Sequence, residues 1–166
     1  MMNVVSNLVK VLLLGSLFLL VACSASSDKG SVLDENAVRE LVDEKFHGLE
    51  GLQEAVSQLY VSVIEKDWAS VYGFRDKSIQ RLVDEKTFVA TMNEKMADFF
   101  LKELVFQLIE ARKDSSGDVI SCRVVLRVVQ NPYAREHTAV VNWSKESGDW
   151  KCDSIGLRGS SLLGPW

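Results

Sequence analysis

The chain has 166 residues, a length that suits one domain, and a formal net charge of −4. Hydrophobic residues make up 47% of it and charged residues 25%, a balance typical of folded proteins and not of disordered ones. A nucleic-acid binder needs a clustered basic face, so this mildly acidic chain is not expected to bind nucleic acid.

The N-terminal region has the pattern of an export signal. Lys10 is the single charged side chain among residues 1–10, and residues 11–21 carry no charge. A helix needs about 20 apolar residues to span a bilayer, so this run is too short for an ordinary span. Its length is instead typical of the apolar region of a secretory signal.

Directly after this run stands Leu20-Val21-Ala22-Cys23, which resembles the lipobox of bacterial lipoproteins. The resemblance implies that residues 1–22 are a signal peptide that is removed. It also implies that Cys23 carries a diacylglyceryl group on its sulfur, often with a further acyl chain such as palmitate on its amino group. The alternative is an uncleaved anchor with a buried thiol.

Residues 23–31 are then the lipidated cysteine and a tether of small polar residues. Fully extended, residues 24–31 reach less than about 29 Å, so the domain is expected to work close to a membrane of the cell envelope. The sorting rule of Gram-negative lipoproteins, applied by resemblance, makes Ser24 favour the outer membrane, facing the periplasm.

Residues 32–156 are predicted to form one α+β domain, followed by a tail over residues 157–166. Apolar residues recur at helical spacing over 32–46, 49–66, 68–74 and about 78–96. The period then changes to the alternation of strands over 101–113, 119–130, 136–144 and 150–155. We therefore expect N-terminal helices packed on one face of a four-stranded antiparallel meander.

The second strand shows the clearest alternation, with one face predicted to be buried: Ile120, Cys122, Val124, Leu126 and Val128. Arg123 and Arg127 lie on the other face among valines, where a homodimer contact is one option. The five residues Leu41–Lys45 recur as Leu82–Lys86, which we interpret as one amphipathic turn used twice and not as a repeat architecture.

Two segments carry a second resemblance: Glu65-Lys66-Asp67-Trp68-Ala69-Ser70-Val71-Tyr72, which closes a long helix, and Val141-Asn142-Trp143 with Ser147-Gly148-Asp149-Trp150-Lys151, which closes the meander. Together they resemble the nuclear transport factor 2-like (cystatin-like) superfamily over roughly residues 49–156. The resemblance implies a cone-like fold, with helices cupped against a bent sheet around a pocket. The superfamily includes ketosteroid isomerase, scytalone dehydratase and many non-enzymatic binding domains, so it does not decide the function.

Candidate residues for such a pocket are mostly aromatic, although such side chains more often belong to a core. They are Tyr60, Trp68, Tyr72, His137, Trp143 and Trp150. His137 is expected on the inner face, as a general acid or base or as a satisfied histidine near the open end of the sheet. No catalytic residue is assigned, and no ligand spacing or phosphate loop predicts a metal or cofactor.

Cys122 and Cys152 are a candidate disulfide pair in an exported protein. In a plain meander, however, another strand separates theirs, and two strand spacings of about 9.6 Å exceed the roughly 7 Å limit for a bridge. Two free buried thiols are therefore predicted. The tail residues Leu157, Leu162, Leu163 and Trp166 are expected to dock on the domain or to form a partner motif.

The function that these patterns favour is a non-catalytic binding or scaffold module on a membrane tether. Its partner would be another envelope protein or a small apolar ligand. The alternative is a small pocket enzyme of the isomerase or dehydratase type, which needs His137 with an Asp or Tyr within hydrogen-bond reach.

Overall fold

The computed structural model describes residues 32–49, 51–131 and 136–157, and within these ranges helices precede strands. The elements are α1 Glu35–Lys45, α2 Leu52–Glu65, α3 Trp68–Gly73, α4 Lys77–Gln80, α5 Glu85–Lys95, β1 Phe100–Lys113, β2 Val119–Asn131, β3 Glu136–Glu146 and β4 Asp149–Cys152. The strands form one antiparallel sheet in the order β1-β2-β3-β4, which confirms the α+β class and the meander. The lipobox, the tether and the tail beyond Leu157 lie outside the described residues.

Aspartate side chains start most of the helices. The carboxylates of Asp34, Asp67, Asp76 and Asp84 each accept a hydrogen bond from the backbone N–H three residues later. Such a cap satisfies one of the free N–H groups of a first helical turn. Asp84 also explains why the predicted single helix over about 78–96 is wrong: its cap begins α5 and separates it from α4.

The recurring five-residue segment has two different structures. In the first copy Val42 is completely buried inside α1, whereas its counterpart Val83 is only partly buried and precedes α5. The interpretation as a recurring local pattern without a repeat architecture is therefore confirmed. None of the helices within the described ranges is long and apolar enough to cross a bilayer.

One face of the sheet is buried along β2, as its alternation predicts. Cys122, Val124, Leu126 and Val128 are each at most 3% exposed. Ile120 is 41% exposed, so its predicted burial is wrong. It lies at the tip of the β1–β2 hairpin, opposite the last residues of β1, all of which are exposed. The hairpin therefore extends beyond the hydrophobic core.

Aromatic rings join the helices to the sheet. The ring of Phe106 on β1 meets the edge of Phe46 at 5.5 Å and that of Tyr60 at 5.3 Å between centroids. Such edge-to-face pairs add about 0.5–1.5 kcal/mol each to the burial of the rings. The N–H of Leu33 donates to the carbonyl of Leu101 at 3.0 Å, which fixes where the chain enters the domain.

The two cysteines within the described residues are free and buried, as predicted. Trp143 on β3 is paired with Cys122 on one side and with Cys152 on the other. A whole strand therefore separates the thiols. Burial raises the pKa of Cys122 from its ordinary 9.0 to about 11 and that of Cys152 to about 12.

These thiols should make the domain less stable in alkali. An unfolded thiol ionises near pH 9, whereas the folded ones keep their protons up to about pH 11 and 12. Above pH 9 the folded state therefore binds more protons, and its free energy of unfolding falls as pH rises. Urea titrations between pH 7 and 11 should show this fall, and it should be smaller for the Cys122→Ala/Cys152→Ala double variant. An equal fall in both proteins would contradict the assignment.

Substitution of Gly156 is predicted to destabilise the fold. Its φ is +69°, and an added Cβ would clash with Leu126 Cδ2 and approach Val141 Cγ2 to 3.2 Å. Gly156→Ala should therefore lower the free energy of unfolding by about 2–4 kcal/mol. Gly117, with φ +93° and open space around it, is the matched control. Gly117→Ala should lose only about 1–2 kcal/mol in the same urea titration. Equal losses of unfolding free energy in the two variants would contradict the close packing around Gly156.

Candidate functional site

The aromatic pocket candidates belong largely to the core. Tyr60, Trp68 and Trp143 are at most 2% exposed and rank among the largest fully buried side chains. Tyr72 is half-buried, and its hydroxyl donates to the carbonyl of Val83 at 2.9 Å. The structure therefore uses these side chains to fill the interior and to hold the loop before α5.

Three polar side chains converge on the segment that follows β4, Asp153–Leu157, here called the C-terminal segment. Arg75 Nη2 donates to the carbonyl of Asp153 at 2.7 Å, and the Tyr60 hydroxyl donates to that of Ile155 at 3.2 Å. His137 Nε2 lies 3.1 Å from the carbonyl of Gly156. Tyr60 and His137 thus meet at one segment, as a pocket would require. Each of the two side chains, however, contacts a backbone carbonyl of the C-terminal segment.

Arg75 is the residue of this cluster that the sequence did not single out. It is 5% exposed, and its Nε has no hydrogen-bond partner within the described part of the chain. Nothing in the sequence distinguishes it from other arginines, because its burial depends on a bridge between Arg75 and Cys152 across the fold. Burial raises the pKa of Tyr60, and the nearby Cys152 raises it further, while the Arg75 charge opposes both.

The surface of the domain carries a groove of about 650 Å³. It runs along α2 from Gly51 to Ser62 and along the β3–β4 hairpin from Gly148 to Lys151. A second depression, of about 290 Å³, lies against β1, β2 and β3 near Arg112 and Arg123. Of the six pocket candidates, Trp150 lines the first and Trp143 the second.

The groove is lined by both signs of charge and by small residues. Arg39 and Lys151 face it together with Glu54 and Asp149. Lys151 Nζ donates to the carbonyl of Gly73 at 2.7 Å, which closes one end. Among the described residues, no group of three or more His, Cys, Asp or Glu side chains is placed to hold a metal ion. The groove offers hydrogen bonds and apolar contact to a ligand of little net charge.

No family model matches the chain, and a search of curated protein sequences finds no match either.

The contribution of the hydrogen bond from Tyr60 to the C-terminal segment can be tested by removing the Tyr60 hydroxyl group. Tyr60→Phe leaves the buried carbonyl of Ile155 without this donor and should lower the free energy of unfolding by about 1–2 kcal/mol. Tyr72→Phe is the matched control. Because Tyr72 is only half-buried, water can replace its hydroxyl, and the expected loss is below about 1 kcal/mol. Urea denaturation measures both, and a larger loss for Tyr72→Phe would contradict this ranking.

Proposed function

We propose that the protein is a lipid-anchored lipoprotein of the cell envelope whose domain is a non-catalytic binding or scaffold module. The observation that carries this proposal is Leu20-Val21-Ala22-Cys23 directly after an uncharged run of signal-peptide length. Two or more acyl chains hold a protein stably on a membrane, whereas one chain does so only marginally. In a Gram-negative host, Ser24 favours the outer membrane, with the domain facing the periplasm.

The interior supports a binding module more than a pocket enzyme. An acid or base catalyst must reach the substrate with a free polar atom. The Tyr60 hydroxyl is bonded to a backbone carbonyl of the C-terminal segment, and His137 Nε2 lies at hydrogen-bond distance from another. His137 Nδ1 has no hydrogen-bond partner among the described residues, but it is buried and does not face solvent. Trp68 and Trp143 are themselves buried core side chains. The surface groove, not the interior, offers the accessible volume, which favours another envelope protein as the partner.

The finer architecture is proposed to be the cone-like fold of the nuclear transport factor 2-like superfamily. The pairing of β1 with β2 shifts register at three places: Leu101/Glu103, Leu108/Glu110 and Arg112/Lys113. Bulges of this kind bend a strand and increase its twist, as a sheet needs in order to curve around helices. The order of helices and strands along the chain agrees with this fold as well.

The chain enters the domain at the end of the sheet opposite the groove. The chain enters the domain at Leu33, beside Leu101 near the start of β1. The groove lies beside the hairpin at the other end of β3. At about 3.4 Å per residue, β3 spans about 34 Å between its two ends. The proposed anchor therefore joins the domain at a distance from the groove and leaves the groove free for a partner.

Lipidation of Cys23 is tested by labelling cells with an alkyne-tagged fatty acid. The wild-type chain and the control Cys122→Ala should both take up the label and fractionate with membranes. Cys23→Ser should take up none, because it lacks the thiol that the first acylation needs, and its signal peptide should remain attached. Equal label in Cys23→Ser and wild type would overturn the lipoprotein assignment.

A further inference from the structure

The outer edge of β4 is partly paired. Next to Cys152, residues 74–76 run parallel to β4, with the N–H of Cys152 donating to Phe74 and its carbonyl accepting from Asp76. Both backbone groups of Cys152 therefore point away from β3. In an antiparallel ladder this direction alternates from residue to residue. The N–H and C=O of Trp150 must then also point outward, while those of Lys151 point toward β3.

The groove begins where this pairing stops. Residues 74–76 bond to Cys152, and the chain before them turns into α3 through Gly73. Gly148, Asp149, Trp150 and Lys151 line the groove along the remaining edge of β4. An edge that directs unpaired backbone groups outward is a template for a further strand.

The side chain of Trp150 adds a second polar group at the same place. Trp150 is 6% exposed, and its indole N–H is buried without a hydrogen-bond partner among the residues that the structure describes. The indole nitrogen faces Gly51, where a side-chain Cβ would lie only 3.4 Å from it. An unpaired buried donor costs about 1–3 kcal/mol, so an acceptor that enters from the groove would be favoured.

The walls of the groove fit an extended peptide. Glycine and alanine line both sides at Gly51, Ala55, Gly73 and Gly148, so a backbone can approach closely. Basic and acidic side chains are equally represented, which suits a segment without strong net charge. In a strand, alternate side chains point to opposite sides, so small apolar residues would face the floor and polar ones the solvent.

We propose that this groove is the docking site for an extended segment of a partner protein, which adds as a strand to the edge of β4 and bonds the backbone of Trp150. The proposal rests on the function proposed above and names its class of partner. Strand addition draws its affinity from backbone hydrogen bonds and its selectivity from alternate side chains.

Hydrogen–deuterium exchange on the full-length chain in detergent tests the free edge. The amide of Trp150 should exchange faster than that of its neighbour Lys151, whose N–H faces β3. Equal protection of the two amides in the free protein would mean that the edge is already paired, and it would overturn the proposal.

Binding is tested with a phage-displayed library of random linear peptides, selected on the same full-length protein. Selected peptides should slow exchange at Trp150. Gln58→Trp, which fills the groove from α2, should weaken the binding of the selected peptides by about tenfold or more. The control Glu65→Trp lies on the same helix outside the groove and should leave their binding unchanged. Methylation of single backbone nitrogens of the peptide should weaken binding about tenfold at every second residue, where the N–H faces β4.

Equal binding to wild type and Gln58→Trp, or the absence of any groove-dependent peptide, would overturn the docking site. These outcomes do not depend on lipidation. If the fatty-acid label failed but peptides still bound the groove, the lipid anchor would be rejected and the docking site kept. If the label succeeded but no peptide bound the groove, the docking site would be rejected and the lipid anchor kept.

Discussion

The structure depends on the short parallel pairing between residues 74–76 and Cys152. This pairing joins the helical half of the chain to the last strand of the sheet. It also brings the Arg75 guanidinium into the interior, where it holds Asp153 and starts the C-terminal segment across the core. Because the pairing ends at Cys152, it also determines where the groove begins. One contact thus shapes both the interior and the candidate binding surface.

Periodicity predicted most of the fold because burial is strongly one-sided here. Along β2 the alternate residues from Cys122 to Val128 are buried, so a single strand identifies the inner face. The errors came from competing local or distant effects. A carboxylate cap at Asp84 begins a new helix and so divides the predicted fourth helix in two. Ile120 is exposed because its hairpin extends beyond the hydrophobic core.

The candidate site was less predictable than the fold. Composition identifies Tyr60 and His137 as residues capable of chemistry, but only the fold shows that backbone carbonyls lie beside them. Arg75 carries no signal in the sequence at all, since a bridge between residues far apart buries it. Trp150 is a pocket candidate in the sequence because its side chain is aromatic. In the structure it matters because its backbone N–H and C=O point outward from β4, a direction that follows from the pairing of Cys152.

The two proposals are linked by geometry. On the proposed lipid anchor, a tether of eight residues would keep the start of the domain within about 29 Å of the bilayer, so a partner would have to be reached from a surface that the bilayer does not cover. The chain enters near the start of β1, and the groove lies at the far end of the sheet. Strand addition there would need only a short extended segment, because it would bond the backbone of Trp150 between walls that include Gly51, Gly73 and Gly148. Such a site suits a tethered scaffold that captures a flexible part of a neighbouring envelope protein while its own core stays closed.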